Sequence, residues 1–300
     1  MYKQISSNIR LTWGLMTLFL IFVIAVGWVF ARAYSEPIIL VIAVLVAVAQ
    51  SLVSYYYSDK IALFTTGAKQ PKRSDFLELF RVVENLSIAS GLPQPKIYVI
   101  SDPAPNAFAT GRDPKNATLA VTTGLLQRLN KTELEGVISH EMSHIGNYDI
   151  RLMTVVVVLV GVIALLADWF LRMRFWGFRG NDREGGGAYL VLIGLILSIL
   201  APISATLIQL AISRRREYLA DATGALMTRY PEGLASALEK IALEKREMRL
   251  KNRATAHLFI ADPYKSDKKS QKSESWLAVA FSTHPPIAER IRRLREMIGR

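Results

Sequence analysis

No cysteine occurs in the 300 residues, which removes disulfides, thiolate metal ligands and a cysteine nucleophile from consideration. Histidine is scarce, at four residues, so a metal here must be held by a few imidazoles and carboxylates. No internal repeat stands out, and no recognisable nucleic-acid module answers the net charge of +12. Long uncharged stretches, by contrast, are abundant. Apolar residues make up 51% of the chain, yet 37 Lys/Arg and 25 Asp/Glu remain, so apolar and charged segments are segregated along it. Residues 213–300 alone carry 19 Lys/Arg against 11 Asp/Glu. Beside membrane spans, that excess reads as attraction to anionic lipid headgroups.

Four apolar runs stand out, at 11–30, 38–57, 152–171 and 189–213. The first two are each 20 residues without a charge, enough to cross roughly 30 Å of hydrocarbon as a helix. Lys3, Arg10 and Ala31-Arg32-Ala33 give the first run some features of a signal peptide. Its apolar core is longer than such a region needs, and a second span follows at once, so it reads as a retained helix. The third run is interrupted only by Asp168, which reads as interfacial; the fourth contains Pro202 and Gln209. These two also admit a reading as buried helices of a large soluble domain.

Basic residues flanking the spans set the orientation. Lys3 and Arg10 precede the first span, Lys60, Lys69, Lys72 and Arg73 follow the second, and Arg214, Arg215 and Arg216 follow the fourth. Both termini and residues 58–151 are therefore expected in the cytoplasm. Arg172, Arg174, Arg179 and Arg183 oppose that assignment.

Residues 58–151 have the pattern of a small α+β unit. Ser74 is expected to cap a helix that runs to Ser90 with Phe76, Leu77, Phe80, Val83 and Leu86 on one face, and Gly91 to close it. Residues 96–100 read as a strand, and 106–110 and 118–122 as a hairpin-like pair broken at Gly111-Arg112-Asp113-Pro114. Thr132 and Glu135 form an expected capping box for the next helix.

That helix carries His140-Glu141-Met142-Ser143-His144. Four residues advance a helix by little more than a turn, so both imidazoles point the same way and are able to bind one zinc. Glu141, on the adjoining edge, is placed to act as general base toward water. A hydrolytic zinc site takes three protein ligands, and Glu217 is the candidate for the third. Asp221, one turn on, is spaced to orient a ligand histidine. The competing reading is that Glu217 only offsets Arg214–Arg216 at a membrane border. Two spans between the His helix and Glu217 return the chain to one side of the membrane, which joint ligation requires.

Taken together, the two N-terminal spans, Pro105-Asn106-Ala107-Phe108-Ala109-Thr110-Gly111, the HExxH helix, a second span pair, Glu217 to Asp221 and Phe281-Ser282-Thr283-His284-Pro285-Pro286 are similar to the HtpX-like membrane zinc metallopeptidases, the family that also contains the CAAX prenyl proteases. The resemblance runs nearly end to end. It implies a predominantly helical α+β fold: a gluzincin-type zincin domain with a small β-sheet, combined with four transmembrane helices. The expected organisation is 1–57, two N-terminal spans; 58–151, the first part of the zincin domain with the HExxH helix; 152–213, a transmembrane hairpin; and 214–300, the second part, with the third ligand and a C-terminal amphipathic helix. It further implies one zinc ion per chain and an ATP-independent endopeptidase of the cytoplasmic membrane acting on damaged or misfolded membrane proteins.

By the same resemblance, Asn106, Ala107, Phe108, Ala109, Thr110 and Gly111 form an edge strand that pairs with substrate backbone. His284 would donate to a developing oxyanion with Arg290 in support, or else be a plain turn histidine. His257 has no assigned role. Residues 262–275 read as a polar loop. From Pro286 on, Ile287, Ile291, Leu294 and Ile298 share a helix face opposite Arg292, Arg293 and Arg295, whose side chains are candidates for lipid contact. Rival functions are prenyl-protein processing, a non-catalytic zinc scaffold, and a transporter using Asp168.

Overall fold

The computed structural model describes residues 2–33, 35–176, 213–244, 246, 248–249, 258–261 and 285–298. Two long helices open it, α1 (Tyr2–Ala33) and α2 (Ile38–Thr65). Within them Ile5–Arg32 and Ile38–Thr65 each span 28 residues at a mean hydropathy of 2.5, and both are long and apolar enough to cross a membrane. Little of either is covered by protein. Leu18, Ile21, Val41, Leu45 and Leu52 are exposed, which in water would be a large apolar patch and in lipid is the expected outer face.

After α2 a 3₁₀ turn (Arg73–Phe76) leads into α3 (Leu77–Ser90). Ser74 is not the cap expected of it, because its hydroxyl donates to the neighbouring Asp75 carboxylate at 2.8 Å. Gly91 does end the helix, in the left-handed region at φ 68°, where glycine has no Cβ to clash. The strands are β1 (Lys96–Ile100), β2 (Ala107–Gly111) and β3 (Ala117–Thr122), in sheet order β1-β3-β2. β1 runs parallel and β2 antiparallel to β3, so the hairpin-like pair is present. β2 begins one residue later than expected, because the Asn106 N–H donates to the Thr122 hydroxyl instead of a strand carbonyl; the Asn106 side chain is turned toward Ala261, receiving its N–H and donating to its carbonyl.

A short α4 (Thr123–Arg128) precedes α5 (Lys131–Gly146), the HExxH helix. Its capping box is Asn130 with Glu133, not Thr132 with Glu135. Asn130 Oδ1 accepts the Glu133 N–H at 3.0 Å, and Glu133 accepts the Asn130 N–H at 2.9 Å. Glu133 is also bound by Ser236 and Lys240, and that tertiary anchorage decides between the two boxes.

Past a turn in which Tyr148 is left-handed, at φ 60°, the chain bends 81° into α6 (Asp149–Trp176). This helix contains the third apolar run. Its Leu152, Val155, Val156 and Leu159 pack on Leu15, Met16 and Phe19 of α1. The fourth run before Ser213, the Asp168 side chain, Arg179 and Arg183, His257 and the 262–275 segment lie outside the described residues.

The chain resumes as α7 (Arg214–Thr228), α8 (Pro231–Leu243) and α9 (Ile287–Arg295). These helices, α3, α5 and the sheet enclose one core that includes Leu79, Val83, Leu119, Val137, Ile138 and Leu238. α9 is docked as its periodicity suggests, with Leu294 buried, although Ile298 beyond its end is exposed. Its outward-facing arginines, still partly exposed, are paired with acidic side chains. Arg292 and Arg293 pair with Glu289, and Arg295 bridges Glu232 and Glu239 of α8.

Candidate metal centre

α5 is polar along one turn and yet almost wholly buried, which demands partners for every polar atom it carries. Those partners come from the start of α6, from α7 and from α9. His140 Nδ1 lies 2.9 Å from Asp221 Oδ1, and His144 Nδ1 lies 2.9 Å from Asp149 Oδ2. Each carboxylate accepts an Nδ1–H and so leaves Nε2 as the acceptor nitrogen. The two Nε2 atoms then face each other at 3.2 Å. Two lone pairs at that distance repel unless a proton or a cation lies between them. Glu217 closes the group, with Oε1 3.4 Å from His144 Nε2 and Oε2 3.7 Å from His140 Nε2. One donor atom from each of the three residues falls within 4.8 Å of the others. Two neutral nitrogens and one carboxylate oxygen are a donor set suited to zinc, so these residues fit the ion.

Glu141 is 2% exposed. Burial pushes its carboxyl above the ordinary glutamate value, against the pull of both imidazoles, and it accepts the backbone N–H of Ala109 in β2. For His144, burial works against protonation, but with no cation between the rings the bonds to Asp149 and Glu217 outweigh it and raise the ring well above its ordinary value. A bound metal would take that proton's place. For Asp221 burial opposes ionisation, and Arg290 overcomes it, bringing the carboxyl down to about 2.

Arg290 reaches this cluster from α9, and its Nη1 lies 3.5 Å from Glu217 Oε2. The outer edge of β2 also borders the group through Ala109. The carbonyl of Ala107, nearer the start of that edge, accepts the N–H of Ile260 at 3.0 Å, and Phe259 stacks edge-on against Phe108. The structure thus brings together His140, Glu141, His144, Glu217, Asp221, Arg290 and the strand Ala107–Gly111. His284 lies outside the described residues.

Asp149 was missed in the sequence. It stands five residues beyond His144, past a left-handed turn that helical periodicity does not anticipate. The only signal was an acid placed between the motif and an apolar run.

Two imidazoles from one helix meeting a carboxylate from another, beside helices able to cross a bilayer, define the class: a membrane metallopeptidase. The family model described as peptidase family M48 matches residues 73–298. A protease HtpX homolog of Caldanaerobacter subterraneus subsp. tengcongensis is 48% identical over 303 residues, covering 99% of this chain and 98% of that protein. Another, of Dictyoglomus turgidum, is 47% identical, with 99% and 94% covered. A third, of Streptococcus gordonii, is 38% identical, with 99% and 100% covered. Among solved structures, Ste24p of S. mikatae shares the fold, with a TM-score of 0.50 at 18% identity over 98% of this chain and 67% of that one. The chain belongs to peptidase family M48, and it is a membrane metalloprotease.

Proposed function

We propose that the chain is a zinc-dependent, ATP-independent endopeptidase of the cytoplasmic membrane that hydrolyses damaged or misfolded membrane proteins. His140, His144 and Glu217 hold one zinc ion, in a gluzincin arrangement with its working face toward the cytoplasm. Four crossings complete the architecture: residues 1–57 supply two and 152–213 a hairpin, with 58–151 and 214–300 as the two parts of the peptidase domain. The observation that carries this reading is the convergence of those three donors around two Nε2 atoms 3.2 Å apart, on the helix that also bears Glu141.

Bound there, zinc supplies Lewis acidity and lowers the pKa of water to about 7. Glu141 accepts a proton as water oxygen adds to the scissile carbonyl carbon, then passes it to the amine nitrogen when the C–N bond breaks. Asp221 and Asp149 hold the two imidazoles in the tautomer with Nε2 as acceptor. Arg290 fixes Asp221, and His284 donates a hydrogen bond to the developing oxyanion. The segment Asn106–Gly111 receives substrate backbone along its outer edge. There the Ala109 N–H meets Glu141 and the Ala107 carbonyl meets the Ile260 N–H, so substrate backbone pairing along this edge displaces those bonds and comes to lie beside the base.

Glu141→Gln should retain zinc and lose hydrolysis of casein by at least about 10²-fold, whereas His140→Ala should lose zinc as well. Cleavage at the wild-type rate by the Gln variant would remove Glu141 as base, and full zinc occupancy in Glu217→Ala would remove the third ligand. A prenyl-protein processing role is separated by offering prenylated and unmodified peptides side by side. Equal cleavage of both favours the general endopeptidase, and strict dependence on the prenyl group favours the processing enzyme.

A further inference from the structure

We infer that Asn8, on the first membrane helix, is a positioning residue of the metal centre, acting on His144 through Asp149. The inference rests on zinc binding by His140, His144 and Glu217. It extends that centre to a part of the chain that the family match, which begins at residue 73, does not reach.

Asn8 sits about two turns into α1 and is 2% exposed. A buried amide at the head of an apolar helix is unfavourable unless its hydrogens are used. Both are. Nδ2 donates to Asp149 Oδ1 at 2.6 Å and to the carbonyl of Asn147 at 3.0 Å. The first is a short bond to a charged acceptor, of the stronger kind. The other oxygen of the same carboxylate, Oδ2, accepts from His144 Nδ1 at 2.9 Å. An unbroken path of two hydrogen bonds therefore links a membrane helix to a ligand imidazole across more than 130 residues of sequence.

The geometry gives Asn8 two effects. It fixes the rotation of the Asp149 carboxylate, so that Oδ2 rather than solvent or a neighbour meets His144. It also ties down Asn147, the residue ending α5, where the chain turns 81° into α6. Arg216 helps from the other side, its Nε 3.5 Å from Asp149 Oδ1, but that contact is longer and approaches the oxygen that Asn8 already holds. Thr12, one turn on, donates to the Asn8 carbonyl within its own helix, and among the described residues no bond from its side chain reaches Asp149 or His144. It is the natural control: same helix, same burial, no direct bond to Asp149 or His144.

The test uses the full chain in detergent, loaded with zinc or cobalt(II). Metal dissociation constants are measured by chelator competition, and the visible bands of the cobalt form report ligand geometry. Asn8→Leu should weaken metal binding by about 10–100-fold, the range seen when an outer partner of a ligand histidine is removed, and should shift the cobalt bands. Asn8→Gln, which keeps the amide, should recover part of both, and Thr12→Val should match wild type. Where Asn8→Leu fails to fold, Asn8→Ala, smaller and without the donor hydrogens, gives the reading in its place. Wild-type affinity and wild-type bands in a folded Leu or Ala variant would overturn the inference while leaving the metal site intact. A wild-type chain that binds neither ion would instead remove the zinc assignment itself.

Discussion

Arg290 grips Asp221 at two points, Nε to Oδ2 at 2.8 Å and Nη2 to Oδ1 at 2.7 Å, across 69 residues of sequence. The guanidinium is entirely buried, and the carboxylate of Glu217 also lies within its field. One cation thus offsets two buried anions and brings the C-terminal helix α9 into the metal centre. Removing one member of such a group leaves charge buried without compensation, which typically costs about 3–5 kcal/mol. Arg290→Met should therefore lower thermal stability by an amount of that order. Arg290→Lys should restore only part, because an ammonium cannot reproduce the two-point fork. Full recovery in the Lys variant would mean that charge alone, not the fork, holds Asp221.

The close approach of α7 to α5 depends on Gly224. A Cβ there would lie 3.0 Å from the His140 backbone nitrogen and 3.0 Å from Ser139 Oγ, so a larger side chain must push the helices apart. Glu217 stands two turns earlier on α7 and would move with it. Gly224→Val should thus reduce zinc stoichiometry while helical content by circular dichroism is kept. Gly136 is the contrasting position. Its added Cβ would meet the Leu234 backbone nitrogen of α8 at 2.5 Å, away from Glu217. Gly136→Ala should lower the melting temperature, a loss of about 1–3 kcal/mol, while zinc stoichiometry stays at the wild-type level.

Removal of the metal has a stability consequence of its own. An ion bound by the folded chain alone adds RT ln(1 + [L]/Kd), about 4 kcal/mol at a thousandfold excess over Kd. Chelation should therefore lower the melting temperature of the detergent-solubilised protein, and added zinc should restore it. Glu141→Gln should show the same chelator-induced drop, because it keeps the ligands. His140→Ala should show almost none. A wild-type melting temperature indifferent to chelator would count against zinc at this centre.

Local features of the fold were legible in the sequence, and relationships between distant segments were legible only where a motif announced them. The HExxH spacing obliges two imidazoles to share a helix face, and Glu217 and Asp221 are one turn apart for the same reason. Alternation and glycine marked the strands and the end of α3 almost to the residue. Asn8 and Asp149 were not legible, because a single amide before an apolar run reads as the polar lip of a span. Arg290 falls three residues after Ile287 and four before Leu294, so it stands on the apolar stripe of α9. That position was a usable sign of burial. The engagement of Arg295 by Glu232 and Glu239 depends on how α8 and α9 cross, which no spacing within α9 encodes.

Glu133 ties the start of the HExxH helix to α8, and its charge makes that tie depend on pH. Its carboxylate accepts from the Asn130 N–H, from Ser236 Oγ at 2.7 Å and from Lys240 Nζ at 2.7 Å. Burial alone would raise the carboxyl, but Lys240, the Asn130 N–H and Ser236 together bring it below the ordinary value of 4.5. The folded state therefore releases this proton more readily than the unfolded chain does. Stability from the group is fully present above the unfolded value and is lost as pH falls through the folded one. The Lys240 ammonium is partly in water, so its share is small; the cap and the hydroxyl bond supply most of about 1–2 kcal/mol. Glu133→Gln should accordingly melt below wild type at pH 7, and the gap should narrow once the pH drops under 4.5. A gap that stays constant from pH 7 to pH 3 would show that side-chain shape, not ionisation, fastens α5 to α8.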